Sequence, residues 1–401
     1  MLSYYLQYLP ILIAAAVFAV IGALYFVFSQ RALEHSRKSL SWIKRHDKKG
    51  YPFARNAFPD QKADWLGVFG VGVFALVTAM LCTALRAHEL DGVSWLSGLF
   101  AYDSLIAIAL SVAGTVAMYY LLQRLFGSTL VSACGSLLLA SSYVGAHTAG
   151  MLLALSLLLF VLWLTAKQEQ GVFPAELLYY AAVLLLALTI ALRPQLLPVA
   201  LLYVGLHLYK HIFRLRHDEM TGGAFALAII LALVVWVLGA AAFVAGRIVF
   251  YYGFAIDYLR GYFRDAPFAM VLRVFEIGLK LAVRPLLRSR ALHPLMDAPL
   301  TALGGFGVIS AILLVRKRKD PRAILTLLVV GTLLLSWLLS GESVLFVGFA
   351  LSAALLFGNF ARGGKKAPVV CVTLLGIGYY LAMYFFAHHL PMTVGILERL
   401  S

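Results

Sequence analysis

Charge is what this sequence has least of. Only 13% of its residues are Asp, Glu, Lys or Arg, 62% are hydrophobic, and the mean hydropathy is +0.90. A soluble domain carries about a quarter charged residues. The shortage excludes a soluble core with a single anchor and points to a polytopic membrane protein. Acid is scarcer than base, with 18 Asp and Glu against 33 Lys and Arg and a formal net charge of +15. In a soluble protein that excess would suggest nucleic acid. Here the positive-inside bias of cytoplasmic loops accounts for it, and no nucleic-acid partner is expected. Cysteine is reduced to Cys82, Cys134 and Cys371, all inside apolar runs and without a CxxC. Neither a disulfide framework nor a zinc site is indicated. GxSxG, HExxH and Walker patterns are absent, and no short-period repeat is visible.

Long hydrophobic runs are what the chain does have. Runs long enough to span a bilayer cover about 4–28, 65–85, 104–122, 129–146, 150–166, 177–192, 195–209, 224–245, 298–315, 323–339, 343–357 and 369–386. The first lacks a basic n-region and is too long for a signal core, so it reads as a retained span. The expected architecture is all-α and polytopic, with about twelve transmembrane helices. Residues 1–64 form an N-terminal span with a basic linker, and residues 65–401 form the transmembrane core. With the N-terminus outside, the basic connectors 29–64, Arg124, Lys167, 210–220, 316–322 and 362–366 all fall in the cytoplasm. Both termini are then expected outside.

The outer side carries the unusual residues. The stretch 247–297 is rich in aromatic and basic residues, on the side where bases are not favoured. Arg260 and Arg264 are spaced i, i+4. Arg273, Glu276, Lys280 and Arg284 follow i, i+3, i+7, i+11, so each set shares one face if helical. Pro267 and Pro285 break the stretch into pieces. Two readings stand: a lid of interfacial helices with snorkelling arginines, or a cradle for a lipid phosphate built on bidentate guanidinium donors. The first outer loop, 86–103, carries His88, Glu89, Asp91 and Asp103 beside Trp95, Phe100 and Tyr102. Its carboxylates can act as a general base or hold a divalent metal. His147, Arg193 and Glu342 stand at outer span ends, where ionisable groups are functional candidates or plain interfacial anchors.

These features resemble a known family. YYLLQRLFGSTLVSACGSLLLASS, LALTIALRPQLLPVALLYVGLHLY and MDAPLTALGGFGVISAILLVRKRKDPR, with an acidic first outer loop and a long outer stretch, resemble the polyprenol-phosphate-dependent glycosyltransferases of the GT-C fold. In particular they resemble bacterial relatives of protein O-mannosyltransferases. The resemblance spans about residues 63–386 and implies sugar transfer from an isoprenoid-phosphate donor at the outer face of a bacterial cytoplasmic membrane. It implies Asp91 as base or metal ligand with Glu89 second, and magnesium or manganese as the cation. Arg260, Arg264, Lys280 and Arg284 would hold the phosphate, with Arg193, His147 and Glu342 as further substrate contacts. The family's adjacent acid pair is split here as Glu89-Leu90-Asp91, and the next outer turn, SSYVGAHTAG, has no acid. A catalytically reduced member therefore stays open. So does a non-enzymatic reading, as a membrane subunit with a membrane-protein partner or a transporter of lipid-linked carriers.

Overall fold

Each apolar run is long enough to close its own backbone hydrogen bonds, which is the condition for a spanning helix. The computed structural model describes residues 9–35, 51–53, 58, 64–89, 102–142, 148–166, 172–193, 196–252, 297–340, 345–362 and 364–387. Among these residues every regular element is a helix. The elements are α1 Leu9–His35, α2 Trp65–Glu89, α3 Tyr102–Phe126, α4 Thr129–Ser141, α5 Thr148–Leu164 and α6 Val172–Leu192. They continue as α7 Leu197–Arg216, α8 Gly222–Tyr252, α9 Ala298–Arg318, α10 Pro321–Ser340, α11 Leu345–Arg362 and α12 Ala367–Ala387. Seven of them are long and apolar enough to cross a membrane, and four more are shorter apolar helices. Their outer faces expose Trp65, Leu66, Phe69, Leu201, Val237 and Leu374 at 62–87%. A soluble protein cannot present so many large apolar side chains to water, whereas lipid accepts them. The chain is a multi-pass helical membrane protein.

The helices overrun the apolar runs, because a spanning helix need not stop where lipid stops. α1 continues to His35, and α7 runs through the polar KHIFRLR to Arg216. The latter segment was expected to be a connector, and its helical state matters below. The punctuation is where the sequence put it. Gly127 takes φ 64° between α3 and α4, and Ser128 caps α4 with its hydroxyl accepting from the Val131 N–H.

Contacts between distant residues establish that the helices alternate in direction. Tyr119, late in α3, donates to Asp64 at the start of α2, 2.9 Å away. Arg124 closes α3 and donates to the hydroxyl and carbonyl of Thr165 just after α5, at 3.0 and 3.1 Å. Ser310 late in α9 accepts from Gln30 late in α1 and from Asn359 late in α11, each at 3.1 Å. At the opposite end the Leu300 N–H, early in α9, reaches the Tyr380 hydroxyl late in α12. One end therefore gathers Asp64, Arg124, Thr165, Asp320 and Arg362 and is called the linker end. The other, the loop end, is where α2, α4, α6, α8 and α10 finish.

α11 lies at the centre of one group, packed by α9, α10, α4 and α1. It closes on α9 where Gly304 faces Phe349 and Gly307 faces the Ser352 carbonyl, places where a Cβ would collide. The other group runs α2, α3, α5, α6 and α8 in lateral succession, and α4 joins the two.

Candidate functional site

The polar residues that assemble inside the bundle are at the linker end. α7 carries His207, Lys210 and His211, spaced i, i+3, i+4, so one helical face holds all three. Leu208 and Tyr209 point away and are exposed. The face turns toward Glu176 in the first turns of α6 and Trp163 in the last turn of α5. Glu176, His207 and His211 are 0–2% exposed, and Lys210 is 4% exposed. These four would be solvated in a connector, and here they are core.

The carboxylate lies between the two imidazoles. Glu176 Oε2 is 3.4 Å from His207 Nε2, and Oε1 is 3.3 Å from His211 Nε2. One ligand atom from each of the three residues can be chosen so that all lie within 4.8 Å of one another. The approaches are close but not aligned as hydrogen bonds. Glu176 Oε2, His207 Nε2, both ring nitrogens of His211 and Trp163 Nε1 have no hydrogen-bond partner among the described residues. A buried polar atom left without a partner costs about 1–3 kcal/mol. Native interiors leave few such atoms, and here they share one spot.

The surroundings hold the rings still. His207 stacks between Trp163, 5.4 Å between centroids and 13° apart, and Tyr179, at 4.3 Å and 29°. The His207 and His211 centroids are 4.4 Å apart. Lys210 Nζ donates to the Trp163 carbonyl at 2.6 Å and lies 4.1 Å from the centre of its indole. Behind them Tyr203 stacks on Phe160 at 3.9 Å and shares a hydrogen bond with Ser156, while Trp236 donates to the Tyr179 hydroxyl at 2.9 Å. A carboxylate and two imidazoles held this way can take up a divalent metal or pass a proton.

Of the residues assigned a role from sequence, the two that are described stand at the loop end. Glu89 is the last residue of α2, and Arg193 follows α6, half-buried, its N–H bonded to the Thr189 carbonyl at 2.9 Å. Asp91, His147, Arg260, Arg264, Lys280, Arg284 and Glu342 lie outside the described residues. Sequence reading missed the Glu176–His207–His211 group. Its signal was the i, i+4 histidine pair in HLYKH, hidden by treating residues 210–220 as solvated. No family model, curated protein or solved structure matches the chain.

Proposed function

We propose that this protein is a GT-C-like membrane transferase with twelve spans that moves a sugar from an isoprenoid-phosphate donor at its loop end. Asp91 is the base, or the ligand of a magnesium or manganese ion, with Glu89 beside it. Arg260, Arg264, Lys280 and Arg284 hold the donor phosphate, and Arg193, His147 and Glu342 complete the substrate contacts. What supports the reading is direction. Glu89 closes α2 and Arg193 follows α6, and in an alternating bundle both belong to the end away from the basic connectors. That end is the non-cytoplasmic face by the positive-inside bias. The first test is topology. Lys280→Cys in sealed cells should react with an impermeant thiol reagent from outside. Labelling only after permeabilisation removes the phosphate cradle. Reconstituted protein should then transfer sugar from a polyprenyl-phosphate donor.

A second reading, a non-enzymatic carrier or transporter of lipid-linked substrates, is favoured by one observation. Glu176, His207, Lys210 and His211 are ionisable groups buried between helices, and such groups commonly mark ion or substrate pathways. Movement of a labelled isoprenoid phosphate across vesicles without sugar transfer would select it.

A further inference from the structure

We infer that Glu176, His207 and His211 form a binding site for a divalent first-row transition metal, with zinc as its best probe. The site lies at the end opposite the proposed transfer chemistry and does not depend on that chemistry. Three observations carry the inference. The first is the ligand set, two imidazoles and one carboxylate, which suits zinc and its neighbours rather than magnesium. The second is spacing. One donor atom from each of the three residues can be chosen so that all lie within 4.8 Å of one another, and each imidazole Nε2 stands 3.3–3.4 Å from one of the two Glu176 oxygens, close to the roughly 3.3 Å between neighbouring ligand atoms of a tetrahedral ion. The third is the orphaned atoms. Glu176 Oε2, His207 Nε2 and His211 Nε2 are buried, converge, and complete no hydrogen bond. An ion between them would satisfy all three at once.

A tetrahedral ion held by three protein ligands keeps one open position. That position is open to a water molecule or an anion. Lys210 is itself turned to the Trp163 carbonyl and indole face, and its ammonium does not occupy the metal's place. The indole and Tyr179 sandwich fixes the His207 ring plane and so the direction of its Nε2.

The experiment uses the full chain, tag removed, purified in detergent from cells grown with added zinc, because a site this buried exchanges slowly. Metal analysis after gel filtration should find about one zinc per chain. Glu176→Gln, which keeps shape and removes the charge, should lower that content at least tenfold, as should His211→Gln; losing even a supporting partner costs roughly 10–100-fold in affinity. His217→Gln, at the exposed histidine that follows α7, should leave it unchanged. Protein grown with cobalt should show the intense visible bands of a four-coordinate nitrogen–oxygen site. This readout needs only the wild type, in case a variant does not fold. Monodisperse wild type without zinc and without the cobalt bands overturns the site and leaves a proton-sharing cluster. Zinc retained in full by Glu176→Gln overturns it as well.

Discussion

The two ends of this bundle put their polar residues to different uses. At the loop end, Glu89 is the last residue of its helix and Arg193 is half-buried, while Asp297 is 1% exposed. At the linker end, equally polar residues have been pulled into the core. Asp320 is 2% exposed and Glu176 1%. Burial is costly for a carboxylate unless it is paired or bound to metal. At the linker end Asp320 is paired with Arg322, while Glu176 lies between two imidazoles with which its Oε2 completes no hydrogen bond. In the proposed reading the loop end offers its ionisable groups to a ligand. The comparison teaches that polarity near a span end does not say whether a residue is solvated. The partner does.

The largest expected effect tests the structural character of the linker end. Arg322 donates to Asp320 through Nε at 3.0 Å and a terminal nitrogen at 2.8 Å, and Asp320 Oδ1 also receives the Arg322 N–H at 3.0 Å, at the start of α10. Removing one partner of a buried pair costs about 3–5 kcal/mol. Asp320→Ala should lower unfolding stability in detergent by that order, and an unchanged thermal midpoint would mean the pair is idle. Burial alone would raise the Asp320 carboxyl, but the Arg322 guanidinium, helped by Arg362, outweighs it and holds the group below the usual carboxylate value. The sign follows. The stabilisation is complete above the unfolded value, about pH 4, and is lost as pH falls through the folded value. Asp320→Ala should therefore weaken the acid sensitivity of the unfolding midpoint in that window.

The next effect tests the chemical character of the loop end. General-base catalysis contributes roughly 10²–10⁴-fold, so Asp91→Asn should reduce sugar transfer by about a hundredfold or more while leaving donor binding intact. Equal turnover in both proteins takes Asp91 out of the site.

The smallest effect separates a phosphate cradle from a lid. Arg264→Lys and Arg284→Lys keep charge but lose the planar fork. If the residues hold phosphate, each should weaken binding of an isoprenoid phosphate by about one to two decades, the size of a charge-assisted contact of about 1.5–3 kcal/mol. If they snorkel to headgroups, binding should not move. Unchanged affinity would leave the loop end without a phosphate site on this stretch.

Much of the fold was legible before any coordinates. The twelve apolar runs correspond one for one with α1 to α12, and Ser128 and Gly127 mark the α3–α4 turn. A spanning helix is a local decision: apolar length and internal backbone hydrogen bonds are set by neighbours along the chain. Helix ends were less legible. α7 extends past the last run residue because His207, Lys210 and His211 share one buried face, and their partners come from α5 and α6.

Membrane class, the positions of the described helices and the basic bias of one set of connectors were thus determined by the amino-acid sequence itself, because each depends on composition or on nearest neighbours. Which polar residues are buried, and which of them meet, was decided only by tertiary packing. Glu176 reads alone as a connector acid and His207 as a span-end histidine. Only the antiparallel pairing of α6 with α7, closed by Trp163 of α5, brings carboxylate and imidazoles to 3.3–3.4 Å. A contact of that kind depends on the register between helices far apart in sequence, and no local pattern encodes it.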